Sequence, residues 1–405
     1  MFDLNFPERW ELKRMKYSFN EISIKGYSNE PLLVASQNMG VVPKEIYGQR
    51  TVEATKDLHL LKLVEVGNFV ISLRSFQGGI EYAYYRGIIS PAYTILKGNG
   101  TYYGHYFRYL AKSVPFIEML KTCVTGIREG QNIDYSILRK KFLPVPPLDE
   151  QEKIVRYLDK KTSDMTKFID AKKKQVELLK ELKRSIISDA VTNGLYNSPL
   201  KSTGIDWLPK IPEDWKFVRL KNIAIKLLRN VRTQDELLVC SNSGKVFFKG
   251  DSKIGLVSQS EKIYQGVRRG DLLIHGMDTW HGAIAVSDFD GKCTPVVHVC
   301  HSEENKKFIA YFMQALSFFG LYKKISNGVR ENTSDFRSWS KAGNIFVFVP
   351  PLWEQKEIAD YLDVECAKIE NLIEALQKEI SLVEELRKSL ISEVVTGKID
   401  VRELI

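Results

Sequence analysis

The chain has 405 residues, 44% of them hydrophobic and 27% charged, with a formal net charge of +9. This length exceeds one ordinary core and predicts two or three domains, while the lack of an apolar run of about 18 residues excludes a membrane-spanning helix. The first residues do not resemble a secretory signal, and the five cysteines have no paired spacing. We therefore expect a cytoplasmic protein with reduced thiols.

The positive charge is unevenly distributed along the chain. Residues 1–142 carry 19 basic and 13 acidic side chains (+6), and residues 205–347 carry 21 and 15 (+6). Residues 143–204 are at +3 and residues 348–405 at −6. Two basic segments are typical of a surface that binds a polyanion, and runs of opposite sign suit pairing with each other. Basicity that serves only solubility is the alternative.

Residues 1–142 are predicted to form a first globular domain of short strands with intervening helices. Apolar stretches such as 69–71 are brief, β-branched or aromatic, and bounded by Gly, Pro or Asn, which favours strands. The loop that follows offers hydrogen-bond donors suited to base edges, and two aromatic-basic clusters come after it. The candidate DNA contacts here are Arg74, Ser75, Gln77, Tyr82, Arg86, Tyr103, His105, Arg108 and Arg128.

Residues 143–194 contain the first of two long predicted helices. Proline, then acids, occupy the expected first turn, and Gly194 stands just past the expected end. Apolar residues recur at alternating steps of four and three, which indicates a heptad seam. Its apolar members are Met165, Ile169, Val176, Leu179 and Ile186. Residues 195–204, rich in Gly, Ser and Pro, are predicted to be a linker.

The second half repeats this organisation. Residues 205–347 are predicted to form a second globular domain, and residues 348–405 a second helix with a C-terminal tail. The seam of this helix comprises Ile369, Ile373, Leu376, Ile380, Val383 and Leu390. The candidate DNA contacts of the second domain are Lys245, Lys249, Arg268, Arg269, Thr279, Trp280, His281 and Arg330. For any one candidate, a solvated charge or a core aromatic is the alternative.

The two halves are copies of one module. Residues 146–192 and 350–396 align without a gap and are identical at 20 of 47 positions. Both begin with Pro-Pro-Leu-x-Glu-Gln and share Tyr-Leu-Asp, and both domains start with Pro-Glu-x-Trp, at 7–10 and 212–215. A duplicated scaffold with divergent intervening stretches is expected when two copies have different targets. Two ordinary surface helices, each packed on its own domain, are the alternative to paired helices.

No catalytic motif accompanies these repeats. Cys293, His298, Cys300 and His301 match no standard zinc spacing, so no metal site is predicted. A P-loop, a zincin helix, a GxSxG turn and the Asn-Pro-Pro-aromatic segment of adenine methyltransferases are also missing from the sequence. We therefore expect a protein without catalytic residues and without a cofactor of its own.

In the order and duplication of these motifs, the chain resembles the specificity (S) subunit of type I restriction-modification systems over essentially all 405 residues. The resemblance implies α/β or α+β target recognition domains in tandem, separated by two long antiparallel coiled-coil helices with pseudo-two-fold symmetry. It implies that each domain reads one half of a split, asymmetric DNA sequence. The helices would dock two methyltransferase (M) subunits, which use S-adenosylmethionine, and restriction (R) subunits, which use ATP and Mg, would join them.

The sequence leaves two other interpretations of the function open. One is a stand-alone DNA-modifying enzyme, either a methyltransferase or a nuclease. The other is a coiled-coil adaptor that binds only protein. A purified chain that modifies DNA alone would favour the first, and binding to DNA that weakens steeply with salt would exclude the second.

Overall fold

A computed structural model describes residues 6–48, 57–126, 132–205, 208–250, 264–325 and 336–404. The chain divides into two compact units, one comprising residues 1–173 and 378–405 and the other residues 174–377. Each long helix therefore contributes one half to each unit. The predicted boundaries at 142, 194, 204 and 347 follow the sequence repeats, whereas the compact units cut across both helices.

The first unit is built from short strands and helices followed by half of a long helix. Its strands are β1 (Glu11–Arg14), β2 (Phe19–Ile22), β3 (Leu33–Ser36), β4 (Gly40–Pro43), β5 (Lys62–Val64), β6 (Phe69–Ile71), β7 (Glu81–Tyr82), β8 (Gly87–Ile89), β9 (Thr94–Gly98), β10 (Val124–Thr125), β11 (Asn132–Ile133) and β12 (Phe142–Val145). Its helices are α1 (Lys44–Tyr47), α2 (Ser75–Gly78), α3 (Gly104–Leu110), α4 (Val114–Lys121), α5 (Tyr135–Leu138) and the start of α6 (Leu148–Asn193).

The second unit repeats this arrangement after an additional hairpin. Its strands are β13 (Leu200–Ile205), β14 (Leu208–Pro212), β15 (Lys216–Arg219), β16 (Ile225–Lys226), β17 (Leu238–Cys240), β18 (Val246–Phe248), β19 (Gln265–Val267), β20 (Leu272–His275), β21 (Ile284–Val286), β22 (Gly291–Cys293), β23 (Val297–His301) and β24 (Phe346–Val349). Its helices are α7 (Leu220–Ile223), α8 (Lys306–Phe318), α9 (Leu321–Ile325), α10 (Trp339–Ala342) and the start of α11 (Leu352–Val395). Strand β13 lies in the segment predicted to be a linker, where it pairs with β14.

The two units share the topology of their four-stranded sheets, whereas the β10–β11 and β13–β14 ladders have no counterpart among the described residues. A four-stranded sheet has the order β2-β9-β6-β7 in one unit and β16-β23-β20-β21 in the other. A two-stranded ladder joins the start of each unit to the strand before its long helix, as β1 with β12 and as β15 with β24. All of these strand pairs are antiparallel. The fold class is thus a tandem α+β duplication with long helices, as predicted.

An aromatic core supports each four-stranded sheet. In the first unit the ring of Phe107 lies 4.3 Å from Phe19 and 4.8 Å from Phe69. In the second unit Phe312 lies 5.8 Å from Phe348. Residues near the end of the other long helix join each core, Val394 in the first and Val191 in the second. Each long helix therefore ends by completing the core that the other repeat begins.

Both long helices end at a glycine with a left-handed backbone. Gly194 and Gly397 each have φ of 73°, a conformation that other residues adopt at a cost. No glycine or proline interrupts α6 or α11 over 46 and 44 residues. The sequence repeat therefore sets the length of each helix by where it places proline at the start and glycine at the end.

Within each unit the two helical segments run antiparallel. In the first unit, residues 154–158 share a core with 390–395, and Lys172 pairs with Glu379 at 2.8 Å. In the second unit, residues 187–191 share a core with 358–366, and Lys183 pairs with Glu370 at 2.5 Å. Lys172 and Lys183 occupy seam positions of α6 between its apolar members, and each reaches an acid on the antiparallel segment.

The predicted seam residues are the less exposed side chains of both helices. Each of them is buried or half-buried, while most of the side chains between them are exposed. Buried members include Ile169, Val176 and Ile369. The burial therefore follows alternating steps of three and four, as an apolar seam between helices requires.

A buried glutamine joins each globular domain to the first turn of its long helix. Gln151 Nε2 donates to the carbonyl of Pro146 at 2.8 Å, and its Oε1 accepts the backbone N–H of Tyr103 at 2.7 Å. Gln355 Nε2 donates to the carbonyl of Pro350 at 2.8 Å, and its Oε1 accepts the backbone N–H of Asn305 at 2.9 Å. The Gln of the repeated motif is therefore a structural joint, which we call the glutamine joint.

The seam predicts different outcomes for adjacent leucines on α6. Leu179→Asp places a charge in the seam, and we expect it to lower the free energy of unfolding by about 2–4 kcal/mol. Leu178→Asp alters a side chain that is 55% exposed, and we expect a change of at most about 0.5 kcal/mol. Chemical denaturation of both variants measures the difference. Equal stabilities would contradict a seam at Leu179.

The glutamine joint predicts a large loss of stability on truncation. Gln355→Ala leaves the N–H of Asn305 and the carbonyl of Pro350 without their buried partner, and we expect a loss of about 2–4 kcal/mol in the free energy of unfolding. Lys356→Ala, at the exposed neighbouring position, is the matched control and should change it by less than about 0.5 kcal/mol. Denaturation curves for the two variants that superimpose would refute the joint.

Candidate nucleic-acid interface

The first unit brings the two predicted aromatic-basic clusters together into one. Tyr82 lies 5.0 Å from Tyr84 and 5.3 Å from His105, and His105 lies 5.3 Å from Tyr103. Tyr84 and Tyr103 are 40% and 39% exposed, whereas Tyr82 is buried. Burial and the nearby Arg108 cation lower the pKa of His105, which favours the neutral ring. The ring of Tyr84 is inclined by 73° to that of Tyr82, and the ring of Tyr103 by 64° to that of His105, so the exposed aromatic surface is angled and not flat.

Arg108 holds this cluster to α6 and is not a free cation. Its guanidinium donates to the hydroxyl of Tyr84 at 3.0 Å and to Asp159 at 2.5 Å. Tyr109 donates to the same carboxylate at 2.5 Å. In the second unit Tyr311 donates to Asp363 at 2.8 Å. The Asp of the repeated Tyr-Leu-Asp motif thus receives a tyrosine in both units, which makes a structural role the better interpretation of Arg108.

The loop predicted to read bases folds as the single turn α2. Arg74 and Gln77 are exposed, and no hydrogen bond or ion pair engages either side chain among the described residues. Ser75 is buried instead, and its hydroxyl accepts the backbone N–H of Ser72 at 2.8 Å. The turn therefore presents Arg74 and Gln77 outward, while the hydroxyl of Ser75 is buried against the backbone that precedes the turn.

Lys112 hydrogen-bonds to the end of this turn, a contact that the sequence did not indicate. Its ammonium donates to the carbonyl of Gly78 at 2.9 Å, to that of Gln37 at 3.1 Å, and to Glu81 Oε1 at 2.5 Å. Burial raises the pKa of Glu81 to about 7, against the lowering effect of Lys112. No periodicity links residues 37, 78, 81 and 112, so only the fold reveals this junction.

Arg86 is occupied by acidic neighbours. It donates to Glu30 at 2.8 Å and to Glu65 at 3.2 Å, and its guanidinium lies over the ring of Tyr27. Hydrogen bonding to Glu30 raises the pKa of this guanidinium. Because exposed ion pairs are individually weak, the arrangement does not prevent DNA binding, but the favoured role of Arg86 is to connect segments of its domain.

The corresponding turn of the second unit, residues 278–282, is largely packed inward. Thr279 is fully buried, and Trp280 packs against the core. His281 is exposed, with its ring stacked 6.2 Å from that of Trp280. Of the three residues predicted here, His281 alone presents its side chain to solvent, and burial withdraws Thr279 as a base contact.

The predicted cations of the second unit have different surroundings. Arg268 donates to Asp235 at 3.0 Å and is only 15% exposed, so a structural ion pair replaces the expected phosphate contact. Lys245, in the β17–β18 hairpin, pairs with Glu370 on α11. Arg269 is exposed, with its backbone N–H donating to Asp290, and Lys249 is half-buried. Arg269 is thus the best-placed candidate for a phosphate, while Arg128 and Arg330 lie outside the described residues.

The cysteine and histidine cluster is embedded in strands. Cys293 and Cys300 are buried, and burial raises the pKa of each thiol to about 12. His298 Nε2 lies 2.6 Å from the carbonyl of Phe336, and His301 lies 3.0 Å from Glu303. Among the described residues, no three His, Cys, Asp or Glu side chains are grouped to hold a metal ion. These side chains have packing and hydrogen-bonding roles.

A second candidate surface lies on the long helices, where three of the exposed apolar side chains of one unit match three of the other. They are 42–56% exposed and stand at equivalent repeat positions, 204 residues apart. In the first unit they are Phe168, Leu382 and Leu386, and in the second Leu372, Leu178 and Leu182. The ion pair between Lys173 and Glu384, at 4.0 Å, lies on the opposite flank of the seam. We call these two sets the apolar patches.

In the described part of the chain, every helix is too short or too polar to cross a membrane. No family model matches the chain. Two curated proteins of Methanocaldococcus jannaschii are similar in sequence. The type I restriction enzyme MjaVIII specificity subunit is 24% identical over 100% of this chain and 96% of its own length. The putative type I restriction enzyme MjaX specificity subunit is 25% identical over 74% of this chain and 68% of its own length.

The fold is also similar to that of a solved chain, from a study of complex assembly and conformational transition of the type I R-M system. The TM-score is 0.70 at 14% identity, and the match covers 98% of this chain and 100% of the other. Sequence similarity over the full length and similarity of fold thus agree with the repeated motifs. The resemblance predicted from those motifs is confirmed, and the chain is a relative of type I restriction specificity subunits.

Proposed function

We propose that this chain is the sequence-specific DNA-binding subunit of a type I restriction-modification complex, and that it reads a bipartite, asymmetric target. The strongest support is that the two units share the same internal contacts at their long helices but expose different side chains on their turns. The glutamine joint and the Tyr-Leu-Asp contact are the same in both. The exposed turns differ, with Arg74 and Gln77 in one and His281 in the other.

This contrast suits two readers with unlike targets. The repeated scaffold places a turn at the same point of each unit, after β6 and after β20, and the different exposed side chains on these turns select different bases. Arg suits guanine and Gln suits adenine in the major groove, and exposed cations such as Arg269 suit phosphates. The proposed target therefore has two unlike half-sites separated by bases that are spanned but not read.

The apolar patches support the docking of two identical partners. Exposed apolar side chains that recur at a repeat distance offer the same surface twice, once in each unit. Clustered apolar surface of this kind marks protein-protein contacts. In the proposal, each patch receives one methyltransferase subunit, so the subunit ratio follows from the duplication of the chain.

In the proposal, this chain contributes recognition and no chemical step. S-adenosylmethionine belongs to the methyltransferase partners, and ATP and Mg belong to restriction subunits that join them. Such a complex acts on cellular DNA, so we place it in the cytoplasm. The adaptor alternative gains its best support from the same apolar patches, and it is distinguished by a lack of salt-dependent binding to duplex DNA.

Exchange of one recognition domain tests the modular reading. Replacing residues 1–142 by those of another type I specificity subunit should change one half of the methylated motif and leave the other half intact, because each unit has its own exposed turn. Sequencing of methylated bases in a host that carries this chain and its methyltransferase subunit measures the motif. A change in both halves, or in neither, would exclude separate readers.

The apolar patches predict the stoichiometry of assembly. Leu178→Asp with Leu182→Asp should weaken docking at one patch by about ten-fold or more, because charges replace buried apolar contacts. Native mass spectrometry should then show complexes that have lost one methyltransferase subunit. Leu382→Asp with Leu386→Asp should remove the other, and all four substitutions should remove both.

The control for this experiment is Lys180→Asp, which reverses an exposed charge on the same helix. Full occupancy is expected for the control, because Lys180 lies outside the apolar patches. Retention of both methyltransferase subunits by the four-fold variant would show that these partners dock elsewhere on the chain.

A further inference from the structure

Lys112 and Gln314 occupy the same place in the two units. Tyr109 and Tyr311 are equivalent, because each donates its hydroxyl to the Asp of the repeated Tyr-Leu-Asp motif. Three residues beyond these tyrosines stand Lys112 and Gln314. The two side chains differ in size and charge, so their equivalence rests on the tyrosine–aspartate contact that both units share.

In the first unit, Lys112 joins three segments through one ammonium group. An ammonium has three N–H donors, and its three acceptors are the carbonyl of Gln37 in the β3–β4 turn, the carbonyl of Gly78 at the end of α2, and Glu81 on β7. The approach is tight, because a Cβ at Gly79 would lie 2.1 Å from the carbonyl oxygen of Ala111. All three donors are used, so Lys112 has none left for a phosphate.

In the second unit, Gln314 lies close to the equivalent segments and hydrogen-bonds to one of them, β21, through a neutral amide. Its Nε2 donates to the carbonyl of Ile284 on β21 at 2.7 Å. A Cβ at Gly244, in the β17–β18 turn, would lie 2.4 Å from the same nitrogen. Gly282, which ends the 278–282 turn, approaches Ser317, whose hydroxyl donates to the carbonyl of Gln314. Gln314 is 8% exposed and does not reach solvent.

We propose that Lys112 and Gln314 are positioning residues that set the discrimination of the two half-sites independently, each by fixing the exposed turn of its own unit against the adjacent hairpin. This inference rests on the proposed function, since it concerns the turns that read DNA. Lys112 bonds to the end of the turn that carries Gln77 and follows Arg74. Gln314 bonds to β21, the strand that begins directly after the turn that carries His281. Neither residue touches DNA in the proposal.

The two junctions differ in how they tolerate substitution. Loss of Lys112 alone leaves Glu81 buried with no cation among the described residues around it, and such a change destabilises any domain. The double substitution Lys112→Gln with Glu81→Ile copies the neutral pair formed by Gln314 and Ile284. We expect it to restore stability, while the carbonyls of Gln37 and Gly78 still lack a shared donor. The double variant is therefore expected to change the position of the turn while the domain keeps its stability.

The test uses the assembled methyltransferase complex and duplexes that carry one wrong base in either half-site. Discrimination is the methylation rate on the correct duplex divided by that on the altered one. For Lys112→Gln with Glu81→Ile we expect about a ten-fold loss of discrimination at the half-site read by residues 1–142, and less than about two-fold at the other. Gln314→Leu should show the reverse pattern. Lys121→Gln, at an exposed lysine of α4, is the control and should change neither.

The outcomes distinguish failure of the proposed function from failure of the positioning role. If the unaltered complex methylates no bipartite motif, the proposed function fails and this inference fails with it. If it does, and the double variant melts with the unaltered protein but discriminates equally well at both half-sites, the positioning role alone is refuted. Equal losses at both half-sites also refute it. A loss confined to one half-site, with melting preserved, supports it.

Discussion

The glutamine joint is the contact on which the two-unit architecture depends. A buried side-chain amide satisfies a helix-entry carbonyl and a domain backbone N–H together, so the direction in which each long helix leaves its domain is fixed at its first turn. The domain's donor is a main-chain group, that of Tyr103 in one unit and Asn305 in the other. Side-chain identity is therefore free to differ at the joint itself. Since the geometry does not depend on which side chains surround it, the faces of the two domains can diverge without disturbing the frame.

The surroundings of the joint show how two copies solve one problem differently. Glu150 receives two hydrogen bonds from Arg9, at 2.7 and 3.0 Å. The equivalent Glu354 receives the indole N–H of Trp215 at 3.1 Å, because Asp214 stands where the first copy has arginine. Trp10, the counterpart of Trp215, keeps a buried indole nitrogen without a partner among the described residues. The carboxylate is retained in both copies, and each copy supplies it with the donor that its own sequence provides.

Features carried by periodicity and repetition were predictable from the sequence, whereas contacts between distant residues were not. The duplication, both helix ends and the spacing of the seam follow from local patterns, and the burial along both helices has that spacing. Arg86, Arg108 and Arg268 were predicted to contact DNA, but each bonds to an acid that lies 56, 51 or 33 residues away along the chain. No local pattern marks such partners. The strand at Leu200–Ile205 also escaped prediction, since its Gly-, Ser- and Pro-rich flanks are typical of a linker.

Side chains that recur in the two units and side chains that differ between them therefore have different structural causes. The exposed side chains of the apolar patches recur 204 residues apart, as the proposed docking of two identical partners requires. The exposed side chains on the turns after β6 and β20 differ, as the proposed recognition of two unlike half-sites requires. Lys112 and Gln314 belong to neither class, because their position recurs but their chemistry does not. A charged junction with three acceptors and a neutral one with a single acceptor restrain their turns to different degrees. In the proposed positioning role, divergence at the junction changes how firmly each turn is held, while the exposed residues of that turn stay the same.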